Sequence, residues 1–142
     1  MQYTQTDGIY IVAINKGELV HATIHEFCNR HEIPSAVFHG IGAMEFVRCG
    51  WYDLPATEYR FTEYEQLVEV VSYHGNVAHK TDGPFVHAHG VFSDSENQTF
   101  GGHVDEMRVG VAFELVLTPL SQTIARTFDG TIGLHLLDLP NN

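Results

Sequence analysis

Hydrophobic and polar positions alternate along residues 8–15, where β-branched and aromatic side chains recur with the period of a strand. After Lys16-Gly17 the pattern changes. Val20, Ile24, Phe27 and Cys28 follow the i, i+4, i+7, i+8 spacing of an amphipathic helix, which predicts a helix over residues 18–32, stopped by Pro34. Beyond it the pattern predicts only strands, at residues 36–41, 46–52, 58–64, 67–73, 85–93, 99–107, 109–117 and 124–128, with turn-rich links such as residues 79–84. One helix among many strands with short links predicts the α+β class. The expected architecture is a largely antiparallel sheet with one main helix packed against it, a single domain over residues 1–142. No repeat or linker interrupts the chain, and disorder is expected only in the tail, residues 140–142.

Length and composition narrow the functional classes. A chain of 142 residues with 44% hydrophobic positions buries enough surface to fold without a disulfide or structural metal, so any metal would serve a function. Seven basic against 18 acidic residues give a net charge of −11, which repels a phosphate backbone and argues against direct nucleic-acid binding by the chain. Residues 1–17 have no basic segment ahead of the short apolar run 9–14, and nothing approaches a membrane span, so a cytoplasmic protein is expected. Cys28 and Cys49 form neither a CxxC pair nor a disulfide framework and are expected as buried, reduced thiols. Ten histidines are the unusual feature, because imidazole titrates near neutrality and ligates metals.

The chemistry concentrates in His87-Ala88-His89 and Gly101-Gly102-His103. Residues i and i+2 of a strand share a face, so His87 and His89 point the same way. The polar turn 94–98 predicts a hairpin centred on Glu96, which pairs Ser93 with Thr99, Val91 with Gly101 and His89 with His103. Val86, Ala88, Phe92, Phe100 and Val104 then share the opposite, core face, and a slip of one residue would destroy that segregation. Gly101 is expected to leave room beside the cluster for something to approach an ion. Three imidazoles without a cysteine suit Zn²⁺, with other divalent transition metals admissible, and leave a fourth position for water or a ligand. Glu69 and Glu114 are single acids in otherwise apolar strands. They are the candidate catalytic carboxylates beside the ion, as extra ligand, partner to an imidazole or general base, with Asp105 a weaker candidate. His21, His25, His31 and His39 are read as surface or satisfied core positions, while His74 and His79 flank the loop after the Glu69 strand, from where they could approach the site, though no spacing puts them there. Gly40-Ile41-Gly42-Ala43 is not a dinucleotide loop, because Glu45 stands where a third glycine belongs.

In order along the chain, Gly40-Ile41-Gly42-Ala43, Trp51-Tyr52-Asp53, Glu69-Val70-Val71-Ser72 leading to Gly75-Asn76, His87-Ala88-His89, Gly101-Gly102-His103 and Glu114 resemble the plants-and-prokaryotes conserved (PPC) domain in its small prokaryotic form. The resemblance implies an α+β domain that assembles as a homotrimer, with the three histidines at a zinc site in several prokaryotic members. In plants the domain follows AT-hook segments and mediates assembly with other nuclear proteins, without the histidines. This chain keeps the histidines and has no Arg-Gly-Arg-Pro hook. The fold is also similar to that of acetolactate decarboxylase, a zinc enzyme whose ion is held by an HxH pair and a third histidine. Together these imply a homotrimeric, zinc-binding protein that takes a small anionic or carbonyl ligand and acts on it as a lyase or hydrolase. The alternative is a non-enzymatic DNA-associated or protein-assembly module.

Overall fold

The computed structural model describes residues 1–140, and the tail expected at 140–142 lies outside them from 141 onward. Among the described residues, nine strands and one helix follow as β1 (Gln2–Thr6), β2 (Ile9–Asn15), α1 (Val20–Arg30), β3 (Ser35–Asp53), β4 (Glu58–Tyr64), β5 (Val68–Lys80), β6 (Gly83–Ser93), β7 (Thr99–Leu120), β8 (Ala125–Asp129) and β9 (Leu134–Asp138). All strands join one sheet in the order β1-β2-β7-β3-β5-β8-β9, with β4 on β3 and β6 bridging β5 and β7. Every strand pairing is antiparallel except the single contact of β5 with β8. The α+β class and the single helix are therefore as expected, and no helix among the described residues is long and apolar enough to cross a membrane.

The four long strands are what position the site. Each of β3 and β7 was expected as two strands and forms one, because β-bulges near Gly42–Met44, Met44–Phe46 and Arg48–Cys49 bend the pair without breaking it. The bends let β3, β5, β6 and β7 close a circuit around Phe38, Met44, Phe92, Val104, Met107 and Phe113, all buried. The helix lays Val20, Ile24, Phe27 and Cys28 on this core, the four residues its spacing singled out. No residue of its own caps its N-terminus. Instead Glu106 of β7 accepts from the His21 and Ala22 backbone N–H groups at 2.8 and 3.3 Å, tying the helix to the strand that carries His103. Cys28 and Cys49 are free, buried thiols, both pushed up from the usual thiol pKa by burial, Cys28 to about 11.

Candidate metal centre

The β6–β7 hairpin has the register its sequence dictates. Ser93 faces Thr99, Val91 faces Gly101 and His89 faces His103. The turn is fixed by Asp94, whose Oδ1 accepts from the backbone N–H groups of Glu96 and Gln98, both at 2.9 Å. Ala88, Phe92 and Val104 are buried on the inner face, and His87, His89 and His103 project from the outer one. One nitrogen from each of the three rings lies within 4.8 Å of the others, and the ring centroids stand 5.1 to 5.5 Å apart.

The donor set fits a metal ion. Burial, then the charge of Arg126, pushes His87 down to about 4, and burial, then its neighbour His89, pushes His103 to the same value, so both rings are neutral at pH 7. His89 is lowered by burial and by His74. Nδ1 of His103 is buried without a hydrogen-bond partner among the described residues, a lone polar atom whose demand a metal ion would meet. Tyr59 stacks on the His103 ring at 4.4 Å between centroids and fixes its plane. Arg126 Nη2 lies 3.1 Å from Nδ1 of His87. Arginine has no acceptor, so Nδ1 accepts and the neutral ring carries its proton on Nε2; an ion at His87 must displace that proton or the guanidinium.

A cavity of about 320 Å³ opens beside His87 and His103, walled by Tyr59, Phe61 and Phe85 and by Arg126, Leu134 and Leu136. Glu69 and Glu114 do come together, but elsewhere. They line a second cleft with Ile41 and Val111 on the outer face of the sheet, and neither lines the cavity of the triad. Asp105 does line that cavity, with its carboxylate held 2.6 Å from Arg48. Gly101 does not leave room for a ligand as expected: a Cβ there would overlap the Gly90 carbonyl oxygen, so its bare α-carbon serves close strand packing.

Several residues near the triad escaped the sequence reading. The turn expected at residues 79–84 is mostly strand, since β5 runs to Lys80 and sets His74 directly opposite His89. His39 in turn faces His74, so His39, His74, His89 and His103 form a row across β3, β5, β6 and β7. The pairing of β5 with β3 and β6 was the missing signal. His21, assigned to scatter, has its Nε2 buried without a partner, and burial followed by the charges of His103 and His87 pushes it to about 3. Arg126 has no local motif and reaches the site only because β8 adds to the sheet beside β5.

Comparisons with known proteins follow the same lines. A protein from Ralstonia eutropha JMP134, provisionally named DNA-binding, is 32% identical, with 97% of this chain and 96% of that one covered and a TM-score of 0.91. A metal-containing protein from Archaeoglobus fulgidus is 27% identical, with 97% of each chain covered and a TM-score of 0.85. Acetolactate decarboxylase from Bacillus subtilis subspecies spizizenii shares the fold at a TM-score of 0.58 and 12% identity, over 82% of this chain and 54% of that one. No curated protein matches the chain significantly. The family model of the Plants and Prokaryotes Conserved (PCC) domain matches residues 1–121, and on that match, with the fold and motif order already described, the chain belongs to this family.

Proposed function

We propose that the chain is a homotrimeric metal-binding protein, zinc its ion, that takes a small anionic or carbonyl-bearing ligand at His87, His89 and His103. The observation that carries this reading is the convergence of three imidazole nitrogens within 4.8 Å, two of them on rings that line a cavity. The metal-containing relative from Archaeoglobus fulgidus supports it. When bound, the ion supplies a Lewis acid for an oxygen of the ligand. The chain's own residues do the rest: Tyr59 holds the His103 ring, and Tyr59, Phe61 and Phe85 exclude water from one side of the cavity. Lyase or hydrolase chemistry on such a ligand is consistent with the acetolactate decarboxylase fold, although fold alone does not settle function. Within one chain Glu69 and Glu114 are not among the groups lining the cavity, so a proton-transfer role for them would require another copy of the trimer. Free buried thiols suit a reducing, cytoplasmic setting.

Elemental analysis of untagged protein purified without chelator tests the reading. About one divalent ion per chain is expected, and His89→Ala is expected to lose it; metal-free protein at neutral pH would refute the site. The name of the Ralstonia relative favours a second reading, a DNA-associated assembly module. Against direct contact stand the charge of −11 and the pairing of Arg30, Arg48, Arg60 and Arg108 with carboxylates. No binding of duplex DNA at ~0.15 M salt is expected, and sub-micromolar affinity would favour the module.

A further inference from the structure

Arg126 differs from the other arginines. Arg30, Arg48, Arg60 and Arg108 each face a carboxylate, whereas Arg126 has none within ion-pair distance among the described residues. It is half-buried, and its hydrogen bonds go to uncharged acceptors: the His135 carbonyl oxygen at 3.0 Å, Asn76 Oδ1 at 3.0 Å and His87 Nδ1 at 3.1 Å. Those bonds use three of its five N–H donors, and Nε is buried with no acceptor. Lys80, also without a carboxylate within ion-pair distance among the described residues, places Nζ 3.4 Å from the Phe85 ring centroid, and Arg126 stands 5.4 Å from the same ring.

Both cations line the cavity of His87 and His103. The one acid there, Asp105, is bound by Arg48. In a chain of net charge −11, two of seven basic residues thus converge on one aromatic-walled cavity without a counter-ion. A half-buried guanidinium without an anion is costly, and an ion at the triad would add two positive charges beside it. An anion sharing the cavity would balance the arrangement.

We infer that Arg126, with Lys80, is the anion-recognising end of this cavity, and that its ligand is a small organic oxyanion, a carboxylate or phosphate whose apolar body lies against Tyr59, Phe85 and Leu136. The cavity, about 320 Å³, is at the lower end of ligand sites and excludes anything much larger than a small metabolite. Arg126 and the β9 residues Leu134 and Leu136 lie beyond residues 1–121, so part of the cavity wall, its guanidinium included, is outside the segment that the family model matches. The inference rests on the metal reading only for the far end of the ligand, because Arg126 and Lys80 act with or without an ion.

Calorimetric titration and thermal melting of the full chain, metal-free and zinc-loaded, with benzoate, phenyl phosphate and inorganic phosphate test it. At least one organic anion is expected to bind metal-free protein and raise its melting midpoint, with the preferred arm identifying carboxylate or phosphate as the source. Arg126→Gln should weaken that binding at least about tenfold, the size of a lost charge-assisted hydrogen bond, and Arg126→Lys should recover only part of it. Unchanged affinity in Arg126→Gln, or no anion bound in either form, would overturn the inference. Should Arg126→Gln lose its cooperative melt, Lys80→Met decides: a several-fold weakening supports the anion site and unchanged affinity overturns it. The two readings fail separately. Arg126-dependent anion binding without zinc loading sinks the metal site alone, and zinc loading without such binding sinks the oxyanion site alone.

Discussion

An imidazole held neutral by the fold refuses a proton that the unfolded chain accepts. His21 is pushed to about 3, and His87 and His103 to about 4, from 6.5, chiefly by burial. Because each folded pKa is depressed, the unfolded chain binds more protons in the window below 6.5, and stability falls as pH drops from there toward 4. The metal-free protein should therefore melt at progressively lower temperature across that window, and His21→Gln should flatten the decline; parallel melting curves against pH for the two proteins would contradict this. The triad was legible because HxH and a symmetric polar turn fix register locally, and a register is all that is needed to bring His89 against His103. His74 and Arg126 were not legible. Each reaches the site through a pairing with a distant strand, His74 by β5 on β6 and Arg126 by β8 beside β5, and no local spacing encodes such a pairing.

The same contrast holds for elements. The helix was read from four apolar positions that all prove buried, and its limits differ by two residues at each end because Glu18 and Leu19 pair with β7 and Glu32 takes a positive φ of 53°. Strand β1 was missed because Gln2–Thr6 is exposed at every position and carries no alternation; only its pairing with β2 makes it a strand. The long strands β3 and β7 read as two each, since bulges interrupt the period of two where the sheet bends. Glu106 shows how one side chain couples elements: it caps α1, accepts the Met107 N–H at 2.9 Å and stands three residues from His103. Burial raises its pKa despite these bonds, so it is held in place at a cost. Glu106→Ala should lower unfolding free energy by about 1 to 2 kcal/mol, the range for a lost helix cap, measured by urea denaturation of metal-free protein. A loss near zero would mean that the packing of Val20, Ile24 and Phe27 alone holds the helix.

On the whole molecule, charge and apolar exposure point to different partners. The net charge of −11 disfavours polyanions, yet the outer face of the sheet presents Val37, Ile41, Val71, Val91 and Val111, the last 62% exposed. A monomer that keeps such a face in water carries an aggregation hazard, and covering it with further copies of itself removes the hazard. The cleft of Glu69 and Glu114 lies on this face, next to Ile41 and Val111. Light scattering at micromolar concentration should give the mass of a trimer. Val111→Asp should shift it toward monomer, because a carboxylate added beside Glu69 and Glu114 places a third like charge on a surface that must be desolvated to associate. Val111 does not line the triad's cavity, so the variant should still load about one ion per chain. A wild-type monomer would refute the trimer, and a Val111→Asp trimer of undiminished stability would mean that this face is not where the copies meet. Loss of the ion together with the trimer would mean instead that the metal centre is completed across the subunit boundary, which would also bring Glu69 and Glu114 back within reach of its chemistry.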